Sequence, residues 1–138
     1  MSFVKLARVG LGVLLLGALG GCGSSGTGSN GAAANGLTNG CDAAMATDMT
    51  NQSTVTLTWS LPHHECILIR KGTTVKWSGN FQAHPLVGGI TPDQDPASPI
   101  TAATPANGEV SVTFANAGEF PYFCVVHTSQ MEGVVYVE

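Results

Sequence analysis

Charge is what this sequence has least of: Asp, Glu, Lys and Arg make up only 10% of its 138 residues. Past the N-terminus the cations are Arg70, Lys71 and Lys76 alone. They form no basic stripe that could track a phosphate backbone, so no nucleic-acid partner is expected. Long apolar runs are missing too. The apolar stretch from Val9 to Leu19 falls short of the roughly 20 residues that a membrane-crossing helix needs. No segment carries sustained helical periodicity with caps, which argues against a helical bundle. The length allows one domain and excludes two ordinary ones.

What is present begins with a targeting pattern. Lys5 and Arg8 precede the apolar stretch, which ends at Leu19-Gly-Gly-Cys22. This resembles the bacterial lipobox, in which the chain is cut before the cysteine and the thiol takes up lipid; an ordinary secretory signal with an incidental cysteine is the alternative. Residues 1–21 are therefore expected to be a lipoprotein signal peptide, with Cys22 lipidated. The chain is then expected on the periplasmic side of the cell envelope or on the cell surface, anchored to membrane. Losing residues 1–21 removes two cations and no acid, leaving three cations against nine acids, formally −6. That mildly acidic surface favours a partner with a positive face. Residues 22–40 combine the lipidated cysteine with a Gly/Ser/Asn-rich stretch that offers almost nothing to bury, so a flexible linker is expected there.

From Cys41 the texture changes, and a single domain is expected over 41–138. Val55, Leu57 and Trp59 alternate with threonines as in a half-buried strand. Cys66–Gly72, Thr73–Ser78, Glu109–Phe114, Glu119–Cys124 and Gly133–Glu138 look like further strands, with Lys71-Gly72 turning between the first two of these. Short strands punctuated by Gly, Pro and Asn predict an all-β, antiparallel Greek-key sandwich of about seven or eight strands. Residues 88–108, rich in Pro, Asp and Thr, are expected to form a long surface loop.

The chemistry concentrates in Tyr122-Phe-Cys-Val-Val-His-Thr-Ser-Gln-Met131. A thiol, an imidazole and a thioether lie within eight residues between two predicted strands. His84 follows another strand. Two imidazoles, one thiolate and a weak axial thioether are the trigonal set that favours copper and its one-electron chemistry. Zinc has no need of the methionine. His84, Cys124, His127 and Met131 are thus the candidate ligands of one copper ion. His63 and His64 beside Glu65 raise the question of a second metal site. An exposed polar turn after Pro62 is the favoured explanation, since neighbouring side chains on extended backbone point apart.

With these residues in order, the chain resembles a cupredoxin, a blue (type 1) copper protein of the plastocyanin, pseudoazurin and amicyanin kind. The resemblance covers roughly residues 50–138. It is carried by His84 after a strand, Cys124-x-x-His127, Met131, Gly133 before the last strand, and the run Gly118-Glu-Phe-Pro-Tyr-Phe leading into Cys124. The His–Met gap of three residues lies between plastocyanin-like and amicyanin-like spacings. Pro85 stands where relatives often have Asn. Val125-Val126 replaces the common Thr-Pro, which leaves residue 126 an N–H for the thiolate. The resemblance implies an electron carrier rather than an enzyme, working as a monomer with redox proteins as partners. Copper binding for delivery, without a carrier role, is the alternative. A multicopper oxidase or nitrite reductase needs a further copper, and the sequence has no second histidine-rich cluster beyond the doubtful His63-His64 pair. With Cys22 assigned to lipid and Cys124 to copper, Cys41 and Cys66 remain, and an oxidising compartment predicts a disulfide between them.

Overall fold

The computed structural model describes residues 36–103 and 108–138; the signal segment, Cys22 and most of the expected linker lie outside them. Nine strands occur among the described residues: β1 (Thr47–Asp48), β2 (Thr54–Trp59), β3 (His63–Ile69), β4 (Thr74–Gly79), β5 (Leu86–Ile90), β6 (Asp93–Gln94), β7 (Gly108–Thr113), β8 (Gly118–Cys124) and β9 (Met131–Val137). They form a six-stranded sheet, ordered β1-β3-β9-β8-β5-β6, facing a three-stranded sheet, β2-β4-β7. The expected all-β sandwich is what the chain forms.

Its pairing differs from the antiparallel expectation. β1–β3, β3–β9 and β2–β4 run parallel. For β1–β3 and β2–β4 the cause is the alternation of β1 to β4 between the two sheets. Each crossing reverses the chain, and two reversals bring it back to its first sheet in its first direction. Lys71-Gly72 is accordingly a passage from one sheet to the other rather than a hairpin turn within one.

The core lies between the sheets. Val55, Leu57 and Trp59 of β2 and Val75 and Trp77 of β4 meet Ile67 and Ile69 of β3 and Met131, Val135 and Val137 of β9. β9 shows no alternation because both its faces are covered. Val134 and Tyr136 point outward and pack with Cys41, Ala46, Cys66 and Leu68 in a second cluster. The expected disulfide, Cys41–Cys66, fastens that cover to β3. With its ends 25 positions apart, such a link contributes about 3 kcal/mol by restricting the unfolded chain.

Three local readings change. The expected linker ran through Gly40, yet Asn39 is buried. Its amide lies within hydrogen-bond reach of the Gly89, Tyr122 and Gly133 carbonyls, and its oxygen accepts from Thr91 N–H. The packed body therefore includes residues just before Cys41. Secondly, β5 and β6 occupy part of what was expected to be loop. The described remainder of that segment folds back on β5: Gly88 N–H donates to the Ile100 carbonyl, and Ile100 is buried. Thirdly, His63 lies in β3 at 4% exposure instead of in an exposed turn.

His63 is fully occupied by hydrogen bonds. Its Nδ1 lies 3.0 Å from the Thr58 carbonyl, and its Nε2 lies 3.0 Å from the Tyr122 hydroxyl. A carbonyl only accepts, so Nδ1 carries the proton and Nε2 accepts. Burial pushes the Tyr122 phenol far above its usual pKa and keeps it protonated; its one proton is shared between His63 Nε2 and the Glu65 carbonyl, 3.2 Å away. Tyr122 thereby crosses β9 from β8 to β3. The crossing requires Gly133, where a Cβ would collide with the Glu65 carbonyl and the Tyr122 hydroxyl.

Burial holds the His63 pKa down at about 4, against 6.5 for the free side chain. Between those values the unfolded chain binds a proton that the folded chain refuses. Stability is therefore fully present above about pH 6.5 and is lost as pH falls toward 4, by at most about 3 kcal/mol. In the metal-free protein, the unfolding free-energy gap between wild type and His63→Gln should narrow from pH 7 to pH 4.5. Chemical denaturation at both pH values checks this, and a constant gap would refute it.

Candidate metal centre

Two loops at one end of the sandwich supply the donors. The first, residues 80–85, joins β4 to β5 and carries His84. Asn80 folds it: its side-chain oxygen accepts from Gln82 and Ala83 N–H, and its carbonyl accepts from His84 N–H. Phe81 fills the core beneath, and Pro85 ends the turn. The Trp59 indole N–H donates to the His84 carbonyl at 2.7 Å.

The second loop joins β8 to β9. Cys124 is the last residue of β8, fully buried and paired across the sheet with Leu86. Val125 N–H donates to the Pro85 carbonyl at 3.1 Å and ties the two loops together. His127 then turns the chain. Its carbonyl accepts from Gln130 and Met131 N–H around a short 3-10 turn, Thr128–Gln130. Met131 begins β9 fully buried, in the core cluster that also holds Cys124.

The structure brings His84, Cys124 and His127 together, with one ligand atom from each all within 4.8 Å of one another. The Nδ1 atoms of His84 and His127 are 3.1 Å apart, and Cys124 Sγ is 3.7 Å from His127 Nδ1. These spacings suit one ion. Bonds of roughly 2.0–2.1 Å to nitrogen and ~2.3 Å to sulfur place two nitrogens about 3.0–3.5 Å apart, and a nitrogen and a sulfur about 3.4–3.8 Å apart. Two imidazoles and a thiolate are also the soft, nitrogen-rich set that suits copper. For Met131 the structure gives place and burial: it sits where the second loop re-enters the sheet.

Of the amides near the thiolate, Val125 is taken by Pro85, and no hydrogen bond from Val126 N–H to Cys124 Sγ occurs among the described residues. The donor expected from replacing the common proline is therefore not engaged. Val125 and Val126 instead turn outward, 43% and 62% exposed beside the half-buried His127. His63 and His64 lie outside this cluster, which is the one grouping of three or more His, Cys, Asp or Glu donors among the described residues. Trp59 and Asn80, whose side chains bond the His84 loop, escaped sequence reading. Trp59 reads as a core residue of β2, and only the fold shows that its N–H reaches the other loop.

No family model matches the chain, and no curated protein matches it significantly. Solved structures do. A copper-containing nitrite reductase from Thermus scotoductus SA-01 matches at 22% identity over 62% of this chain and 22% of its own length, with a TM-score of 0.45. The chain thus spans about a fifth of that enzyme. A mutant of amicyanin in its oxidised form matches at 19% identity over 70% of this chain and 89% of its own, also with a TM-score of 0.45. A purple cupredoxin from Nitrosopumilus maritimus matches at 21% identity over 53% and 77%, with a TM-score of 0.35. The likeness is one of fold, and the donor assignment rests on the distances within this chain.

Cys124 is the free cysteine among the described residues. In metal-free protein carrying Cys22→Ala, a thiol reagent should modify Cys124, and prior addition of one equivalent of copper(I) should slow that modification at least about tenfold. His127→Ala should remove most of the protection. Protection that survives loss of both His84 and His127 would contradict a shared site.

Proposed function

We propose that this chain is a cupredoxin that carries single electrons through one copper ion bound by His84, Cys124 and His127, with Met131 as the weak axial ligand. The observation that carries this reading is the convergence of the two Nδ1 atoms and the thiol sulfur, at 3.1 and 3.7 Å, on a rigid β framework. Copper, when bound there, supplies reversible one-electron chemistry. The protein supplies donors held close together in advance. His84 and Cys124 are fixed by neighbouring strands and by the Val125–Pro85 bond, so little of the chain needs to move when the charge on the site changes. His127, half-buried between exposed valines, offers an edge where a partner could approach without water between. An apolar contact of this size suits a partner that must leave again.

The donor cluster of the described residues, two imidazoles and one thiol, is the set expected of a one-electron carrier, and this is the role proposed for it. Its proposed partners are redox proteins with a positive face, met by the monomer. Copper titration followed by visible spectroscopy and voltammetry tests the reading. The expected outcome is one equivalent of copper(II), an intense thiolate-to-copper charge-transfer band and a reversible one-electron wave, with the band lost in Cys124→Ser. A colourless, redox-silent complex would sink it. A complex whose ion is readily captured by a competing protein, with slow electron exchange, would favour copper delivery instead.

The Leu19-Gly-Gly-Cys22 pattern supports a lipid anchor on Cys22 and a place outside the cytoplasm. Metabolic labelling with a fatty acid should mark the wild-type protein and not Cys22→Ala, and a wild-type protein that takes up no label would count against the anchor.

A further inference from the structure

The loop that carries His84 is tied at both ends, but among the described residues the His84 carbonyl itself has no backbone partner. Asn80 satisfies the amides of Gln82, Ala83 and His84, but Pro85 has no N–H to fasten the following peptide. The carbonyl of His84 is instead fixed from across the sandwich, by the indole of Trp59 on β2 of the three-stranded sheet. At 2.7 Å this bond is shorter than most N–H···O bonds.

The indole is itself held in place. Trp59 is 1% exposed, lies edge-on to His63 with ring centroids 4.7 Å apart, and tilts against Tyr122 at 5.9 Å. His63 cannot swing away, because both its ring nitrogens are bonded. Opposite Trp59 on β4 stands Gly79, where a Cβ would strike the Trp59 carbonyl and come within 2.9 Å of its Cβ. The strand can therefore sit close and fix the backbone from which the indole projects.

The second tryptophan provides a comparison inside the same core. Trp77 is also fully buried and packs on Tyr122 at 5.2 Å, yet among the described residues its Nε1–H reaches neither ligand loop. The two indoles thus fill the core alike, and only one of them bonds to a ligand loop.

We propose that Trp59 is a positioning residue of the metal centre, its indole N–H fixing the His84 peptide so that His84 Nδ1 stays beside His127 and Cys124 whether or not metal is bound. The proposal rests on the copper reading of that site. The bond runs from β2 of the three-stranded sheet to the loop that joins the two sheets, so the place of β2 helps set where His84 stands relative to the donors on the second loop. Removing it takes away the bond that holds the His84 carbonyl and lets the peptide between His84 and Pro85 tilt within its remaining ties, and the imidazole with it.

Trp59→Phe and Trp77→Phe test this as a matched pair, since each removes an indole from the same core. In metal-free protein, the Trp59 indole proton should exchange with solvent far more slowly than an exposed indole, and Trp59→Phe should broaden or shift the His84 ring resonances while Trp77→Phe leaves them in place. In copper-loaded protein, Trp59→Phe should speed copper release to a chelator about tenfold or more and shift both the charge-transfer band and the reduction potential. Trp77→Phe should change thermal stability without moving those properties. If Trp59→Phe does not fold, benzothienylalanine placed at position 59 keeps the ring shape and removes only the N–H, and the same shifts are expected. Equal effects from both substitutions, or none from Trp59→Phe or the analogue, overturn the proposal while leaving the copper reading intact. Failure of the wild-type protein to bind copper with its charge-transfer band overturns both.

Discussion

Two imidazole nitrogens 3.1 Å apart, with a thiol sulfur close by, form an arrangement that a polypeptide adopts only under compulsion. The donors repel one another's lone pairs unless a proton or a cation lies between them, and their loops would gain freedom by moving apart. The compulsion comes from the β framework. Leu86 and Cys124 are partners across two strands, Val125 is bonded to Pro85, and the chain after His127 is pulled at once into a fully buried strand. Folding therefore meets the cost of bringing the donors together. Metal binding then has less ordering left to do, and the geometry belongs to the protein more than to the ion.

The framework owes its rigidity to polar groups in unusual places. A β-sandwich core can be filled by aliphatic side chains alone. This one also contains an indole bonded to a loop carbonyl, a neutral histidine and a tyrosine that spans three strands. Each is satisfied, and each joins elements that pleated-sheet hydrogen bonding leaves separate. Apolar packing fills space with little regard to direction. These bonds are directional, and they set where the strands and the His84 loop stand relative to one another.

How much of this was legible in the sequence depends on whether the deciding contact was local. Val55-x-Leu57-x-Trp59 announces its strand because alternation is enforced by one buried face. Cys124, His127 and Met131 announce a common site because they share one short connection. β5 went unseen because Gly88 and Gly89 carry no strand signal, and their place depends on residues 94–100 folding over them. The parallel pairings were hidden for another reason: direction depends on which sheet the next strand joins, and no local pattern records that. His63 follows Leu61-Pro62 in a polar stretch and looks like a turn residue. Its burial is decided by Tyr122, nearly 60 positions later. Asn39 sits among glycines and small polar residues that resemble a linker, and only three distant carbonyls give it a place.

That asparagine also determines the mechanical behaviour of the domain's N-terminal attachment. Tyr122, whose carbonyl it reaches, is two residues from Cys124, or roughly 7 Å along an extended strand. The chain thus enters the body close to the donor end, and the lever arm between the point of attachment and the metal centre is short. A pull from residues before Gly36 would load the Asn39 bonds first, and the Cys41–Cys66 link would then pass the force into β3. The Asn39 bonds end on Tyr122 and Gly133, two residues from Cys124 and from Met131, so the candidate donor end is mechanically coupled to the N-terminal side of the domain.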